Sequence, residues 1–227
     1  MAMVECHSVT KTYSQGKVLV NALQGVDLLI EVGSFTALAG PSGSGKTTLL
    51  NLIGGLDSLD SGTIRVDGNS IDTMSQGKLA TLRLHKIGFV FQAYNLIPVL
   101  SAVENVEYVM LLQGVAPKER RDRARSILDD VDLSGKYDRR PAELSGGQQQ
   151  RVAVARAIVS RPSIVLADEP TANLDSKTGN GLLEMMLELN REKGVTFIFS
   201  THDQMVMDYA RRLVQIRDGR IVDDETK

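Results

Sequence analysis

The sequence predicts an α/β protein: a largely parallel sheet covered by helices, preceded by an antiparallel β region and interrupted by a helical insertion. Three observations carry this reading. A buried strand, SFTALAG, runs straight into the glycine loop GPSGSGKTT and then a helix. The last third alternates apolar strands with helical segments, as parallel strands joined by helices require. Between these parts, residues from about 95 to 141 lose the strand pattern and take helical spacing.

Taken in order, residues 3 to 35 show period-two alternation in VECHSV, VLVNAL and VDLLIEV, broken by glycines and by polar turns such as KTYSQG. They predict a small antiparallel sheet. GTIRVDG and KIGFVFQ follow as strands, the second apolar nearly throughout, as expected of a strand buried on both faces. SAVENVEYVMLLQGV and APKERRDRARSILDDVDL read as helices. Pro117 suits a first helical turn, and Leu128, Val131 and Leu133 form one apolar face. The basic run KERRDRAR is interleaved with acids and reads as a solvated helix face. After LSGGQQQR opens another helix, SIVLADEP (strand), SKTGNGLLEMMLELNREKG (helix), VTFIFSTH (strand), DQMVMDYARR (helix) and RLVQIRDGRIVDDE (hairpin) complete the chain. Met185, Met186, Met205 and Met207 read as packing residues.

Composition narrows the class. The 227 residues are 42% hydrophobic, enough for a full core. With 26 basic and 28 acidic side chains the net charge is -2, which disfavours nucleic acid and anionic lipid as partners. Cys6 is the lone cysteine, so neither an intrachain disulfide nor a cysteine metal cluster forms, and a reducing compartment is expected. No stretch approaches the roughly 18 apolar residues of a membrane span, and the N-terminus lacks a signal-peptide pattern. The chain is therefore expected in the cytosol, with any membrane role supplied through a partner.

The chemistry concentrates in a few segments. Residues 40 to 47 match GxxxxGK[ST] at every fixed position, between a strand and a helix. Gly40, Gly43 and Gly45 let the backbone curl so that N–H groups face phosphate oxygens. Lys46 supplies charge to β and γ phosphates, and Thr47 offers a hydroxyl to Mg²⁺. Asp168 and Glu169 end an apolar strand, at the sheet edge where open α/β folds bind ligands. Asp168 suits Mg²⁺, usually through water, and Glu169 suits a base that activates an attacking water; such a pair also suits capping the next helix. His202 and Gln92 should emerge at the same edge, each weak evidence alone. Tyr13 serves equally to stack on an adenine or to pack on the surface. Finally, Ser145, Gly146 and Gly147 open a helix with bare N–H groups, a second phosphate-binding start in a chain that already has one.

GPSGSGKTT, FVFQ, LSGGQQQR, VLADEPTANLD and STHD, in that order, resemble the nucleotide-binding subunit of ATP-binding-cassette (ABC) transporters, over essentially the whole chain. The resemblance implies a P-loop NTPase (RecA-like) core at residues 1–94 and 157–227, with an antiparallel β subdomain, and a helical subdomain at 95–156 carrying the signature. ATP and Mg²⁺ would be its cofactors. It assigns Tyr13 to adenine, and Gly40, Pro41, Ser42, Gly43, Ser44, Gly45, Lys46, Thr47 and Thr48 to the phosphates. Gln92 goes to Mg²⁺ and the membrane-domain contact, Glu169 to the base, His202 to γ-phosphate sensing and Asp175 to communication between subunits. Head-to-tail pairing of two copies would set Ser145, Gly146, Gly147 and Gln148 against the partner's ATP, which resolves the surplus phosphate site.

Within the family, NLIGGLDSLDSGTI, QAYNLIPVLSAVENV and IRDGRIV look most like the lipoprotein-releasing, macrolide-exporting and cell-division branch. Ala172, where Gly is common, and Tyr108-Val109, where Pro is usual, depart from it without touching a phosphate ligand. The branch implies an integral membrane permease of few spans with a large extracytoplasmic domain, and a place at the cytoplasmic side of the inner membrane. Export or extraction of a lipoprotein, lipid, peptide or drug is the leading role. Control of a periplasmic enzyme, as in cell-division members, is the alternative, and a nucleic-acid-associated ATPase a remote one.

Overall fold

The computed structural model describes residues 1–16 and 18–227. Strands β1 (Ala2–Gln15) and β2 (Val18–Glu31) pair antiparallel along almost their full length. The sequence suggested shorter strands separated by turns. Instead β2 runs on through Gly25, whose φ of 73° lets it sit as an extra residue between the pairs Val9–Val26 and Thr10–Gln24. Tyr13, expected in a turn, lies within β1 opposite Val20.

β3 (Phe35–Ala39) leads into the glycine loop and helix α1 (Lys46–Ile53). β4 (Ser61–Val66) and the short β5 (Asn69–Ser70) join the antiparallel sheet, in the order β2-β1-β4-β5. A helix not foreseen in the sequence, α2 (Gln76–Lys86), follows; only Leu79 and Leu82 of it are buried, so its periodic signal is thin. β6 (Ile87–Val90) ends two residues before Gln92. The helical layer comprises α3 (Ala102–Leu112), α4 (Pro117–Asp130) and α5 (Gly146–Ile158). Residues 95 to 101 are irregular, and α3 begins where SAVENVEYVMLLQGV predicted it, with Ser101 and Glu104 forming a reciprocal capping box. The remaining elements match the predicted alternation: β7 (Ile164–Asp168), α6 (Ser176–Lys193), β8 (Thr196–Thr201), α7 (Gln204–Tyr209), β9 (Arg212–Arg217) and β10 (Arg220–Thr226).

The second sheet has the order β10-β9-β3-β8-β7-β6, parallel except for the terminal hairpin strand. Both faces are covered. On one, Phe35, Phe197 and Phe199 pack against Met110, Leu128, Val154 and Leu182 of the helices, with Phe35 and Phe199 ring centres 4.6 Å apart. On the other, Leu38, Leu166 and Ile198 meet Leu49, Leu52 and Ile53 of α1, then Ile30 and Ile64 of the antiparallel sheet. Burying each such side chain contributes about 1.5–3 kcal/mol, so this layering holds α1 and the loop before it firmly on the sheet. The basic run of α4 is less solvated than its composition suggested. Arg120 and Arg121 reach back to Glu107 of α3, at 3.2 and 2.5 Å, joining the two helices.

Cys6 lies in this interior, 1% exposed, and burial, aided by Asp27, pushes its thiol pKa up to about 12. The thiolate is the reactive form, so the native protein should not react with a thiol reagent at pH 8, while denatured protein should react at one site per chain. Because the native pKa lies above the unfolded one, folding stability should also fall as pH rises from about 9 to 12, measurable by denaturant titration.

Candidate functional site

The site is assembled by the parallel sheet. β3, β8 and β7 are neighbours with matched direction, so Ala39 stands beside Thr201 and Asp168 beside Ser200 at one edge. The glycine loop leaves this edge from Ala39, Glu169 from Asp168, and His202 from Thr201. Three segments distant in sequence thereby share one rim.

Glycines are obligatory at two points of the loop. A Cβ on Gly40 would lie 2.1 Å from the Ile216 carbonyl oxygen, and one on Gly45, with φ 105°, would lie 2.5 Å from that of Ala22. The close approach turns the loop's N–H groups inward. Among the described residues, the backbone N–H groups of Gly43, Gly45, Lys46 and Thr47 take no acceptor from the protein, at the positive end of α1. Ser44 Oγ, buried beside Gly40, is also without a partner. Lys46 Nζ donates to the carbonyls of Gly40 and Pro41 at 2.8 and 2.9 Å. Burial depresses its pKa, while the nearby Glu169 and Asp168 carboxylates partly restore it. A convergent set of donors around one ammonium suits a polyphosphate.

Thr47 Oγ1 donates to Asp168 Oδ1 at 2.9 Å and lies 3.5 Å from Ser200 Oγ. This set of oxygens fits a hard cation such as Mg²⁺, which takes few protein ligands and keeps its waters. Glu169 follows with its backbone at φ 46°, a conformation rarely adopted by a residue bearing a side chain. Its N–H donates to the Ser200 carbonyl at 2.9 Å. Its Oε1 is 2.7 Å from His202 Nδ1, and Thr201 Oγ1 lies 3.5 Å from Oε2. The carboxylate is 15% exposed and the imidazole 65%, so the pair faces the opening.

Gln92, Asp175 and residues 145–148 make no hydrogen bond to this cluster among the described residues. Gln92 is exposed, and its backbone carbonyl accepts from Asn173 Nδ2 at 2.8 Å. The loop it begins is clamped from α5: Arg156 Nη1 and Nη2 donate to the carbonyls of Asn95 and Tyr94 at 2.5 and 2.8 Å. Asp175 caps α6, accepting from the N–H groups of Lys177 and Thr178 and from the Thr178 hydroxyl, which together lower its pKa. At the start of α5 the predicted bare N–H groups are partly engaged: Ser145 Oγ accepts from Gln148 N–H, and Gln148 Oε1 accepts from Ser145 N–H. Those of Gly146 and Gly147 take no acceptor among the described residues. No hydrogen bond joins residues 145–148 to the 40–48 loop among the described residues.

Tyr13 gains partners that no local pattern signalled. Its hydroxyl donates to Asp57 Oδ2 at 2.6 Å, and Lys11 Nζ lies 3.1 Å from Asp57 Oδ1 and 5.1 Å from the Tyr13 ring centre. Burial opposes ionisation of Asp57, but hydrogen bonds from Tyr13, Ser58 and Lys11 outweigh it and lower its pKa. Ser200 was likewise missed; a polar residue at the end of VTFIFST is the only trace it leaves.

Residues 23–172 match the family model described as ABC transporter. The chain is 48% identical over 223 residues to the macrolide export ATP-binding/permease protein MacB of Syntrophobacter fumaroxidans, covering 97% of this chain but 31% of that protein. It is 47% identical over 219 residues to an uncharacterized ABC transporter ATP-binding protein of Thermotoga maritima, covering 96% and 93%. The chain thus spans about a third of the MacB relatives it matches. Among solved structures, the ATP-binding cassette MJ0796, in a dimeric post-hydrolysis state bound to ADP and Pi, superposes with a TM-score of 0.92 at 42% identity, covering 99% and 98% of the chains.

Lys46→Ala should weaken binding of a nucleoside triphosphate by about 10- to 100-fold in a fluorescence titration, the size of a charge-assisted hydrogen-bond contribution. In the native protein, affinity should decline as pH rises through the depressed Lys46 pKa, below the pH at which an ordinary lysine titrates.

Proposed function

The chain belongs to the ABC transporter family, and from that premise we propose that it hydrolyses ATP as a head-to-tail dimer and thereby drives a separate membrane permease. The observation that carries this is the loop at residues 40–48, whose unpaired backbone donors surround Lys46 beside the Glu169–His202 pair. Donors, ammonium, hydroxyl and carboxylate gathered at one edge support binding of a triphosphate and activation of water there.

In the proposed reaction the loop N–H groups and Lys46 bind the β and γ phosphates and Tyr13 stacks on the adenine. Glu169 accepts a proton from water as the water oxygen bonds to the γ phosphorus and the bond to the β-phosphate oxygen breaks, releasing ADP and phosphate. His202, bonded to Glu169, orients that carboxylate and meets the γ phosphate. Thr47 and Asp168, with Gln92, would hold Mg²⁺, which supplies neutralisation of phosphate charge. The start of α5, which makes no hydrogen bond to its own loop among the described residues, serves the ATP of a second copy through Ser145, Gly146, Gly147 and Gln148, with Asp175 at the junction between copies. The dimeric state of MJ0796 supports this pairing.

The permease would dock where an open apolar groove of about 630 Å³ lies between α2, β6 and α3, lined by Leu56, Leu84, Phe89, Tyr108 and Leu112 with Arg156 at its wall. Leu56, Tyr108 and Leu112 are 47%, 42% and 58% exposed, a patch suited to a short apolar helix. No helix among the described residues is long and apolar enough to cross a membrane. We place the dimer at the cytoplasmic face of the inner membrane, held by a permease with few spans and a large extracytoplasmic domain, moving a macrolide-like drug, a lipid, a peptide or a lipoprotein.

Glu169→Gln should leave ATP binding intact, lower turnover by about 100-fold or more and accumulate an ATP-bound dimer on size exclusion; turnover at the native rate would exclude Glu169 as base. Ser145→Arg should bind ATP as a monomer yet neither dimerise nor hydrolyse it. Native turnover in that variant would exclude the intersubunit site.

A further inference from the structure

The segment after Glu169 is fastened by side chains from three directions. Thr171 Oγ1 donates to Asp203 Oδ2 at 2.9 Å, Asn173 Nδ2 to the Gln92 carbonyl at 2.8 Å, and Gln150 Nε2 to the Pro170 carbonyl at 2.9 Å. Gln150 differs from the others. It comes from α5, is fully buried, and its Oε1 meets no donor among the described residues. The amide cannot be turned over, because that would set its oxygen against the Pro170 carbonyl.

The amide satisfies the buried Pro170 carbonyl through Nε2 while its Oε1 stays idle, so what glutamine supplies here is that one directed bond. What the amide does is grip Pro170. The preceding residue, Glu169, holds a strained φ of 46°, and such a backbone persists only where its surroundings over-determine it. Before it, the Glu169 N–H is tied to Ser200; after it, the buried bond is the one from Gln150. The same helix begins five residues earlier at Ser145.

We propose that Gln150 is a positioning residue for hydrolysis: by pinning the Pro170 carbonyl it fixes the backbone from which Glu169 addresses water, and ties that backbone to the helix whose start meets the partner's phosphate. This rests on the reading of Glu169 as the base.

The test is steady-state ATP hydrolysis by Gln150→Leu and Gln150→Glu, with nucleotide titration and thermal unfolding alongside. For Gln150→Leu, kcat should fall about 10- to 100-fold, as small misplacements of catalytic groups do, with KM and nucleotide affinity within about twofold of native. Its thermal midpoint should shift little, because the orphaned Oε1 is removed as the Pro170 carbonyl loses its donor. Gln150→Glu keeps the shape but donates to Pro170 only when protonated, so its turnover relative to native should rise as pH falls. Combined with Glu169→Gln, Gln150→Leu should cause no further loss. Unchanged kcat in Gln150→Leu, a loss that tracks nucleotide affinity or melting, or a pH-independent ratio for Gln150→Glu would overturn the proposal. Native turnover in Glu169→Gln alone would instead overturn the assignment of the base, whatever Gln150 does.

Discussion

Backbone hydrogen bonding between β3, β8 and β7 is the constraint on which the rest of the molecule depends. It fixes Ala39 beside Thr201 and Asp168 beside Ser200, and so sets where the glycine loop, the acidic pair and His202 begin. A slip of one residue in either pairing would send every side chain of the strand to the opposite face. Two apolar layers prevent that slip, since Phe35 and Phe199 belong to one side of the sheet and Leu38 and Ile198 to the other. Packing thus specifies register, and register specifies the spacing of the polar groups at the strand ends.

The helical layer adds a second level of control. α5 is buried along most of its length, yet its two ends address different loops. Its start is partly self-capped by Ser145 and Gln148, which shapes the first turn while the N–H groups of Gly146 and Gly147 stay free of protein acceptors. Gly147 is confined there: a Cβ on it would lie 2.3 Å from Thr178 Cγ2 on α6. Glycine at position 147 therefore answers to packing against α6.

How much of this was legible in the sequence depended on the range of the interactions. Residues 40 to 47 were readable because phosphate binding demands particular residue types at fixed local spacing. The β and α alternation of the last third was readable for a similar reason, as β7 and β8 each carry a short apolar run that a helical pattern follows within a few residues. Tyr13 was not: its partner Asp57 is 44 residues away and joins it only once β1 has folded onto the segment after α1. β2 was misread as fragments because Gly25 looks like a turn until a bulge accommodates it. α2 buries too few apolar side chains to leave a periodic trace, and the reach of Gln92 depended on where β6 ended.

The Arg156 clamp has a mechanical meaning. Its guanidinium grips the carbonyls of Tyr94 and Asn95, while Gln150 grips that of Pro170, from one stiff helix. The two grips stand six residues apart, about 9 Å along the axis. Because the helix is effectively inextensible over that distance, an axial displacement at either end must be delivered at the other. Arg156 also walls the apolar groove, so a segment seated there would bear on a helix whose other grip lies next to Glu169. Strain imposed at one surface would be felt as a change of aim at the other.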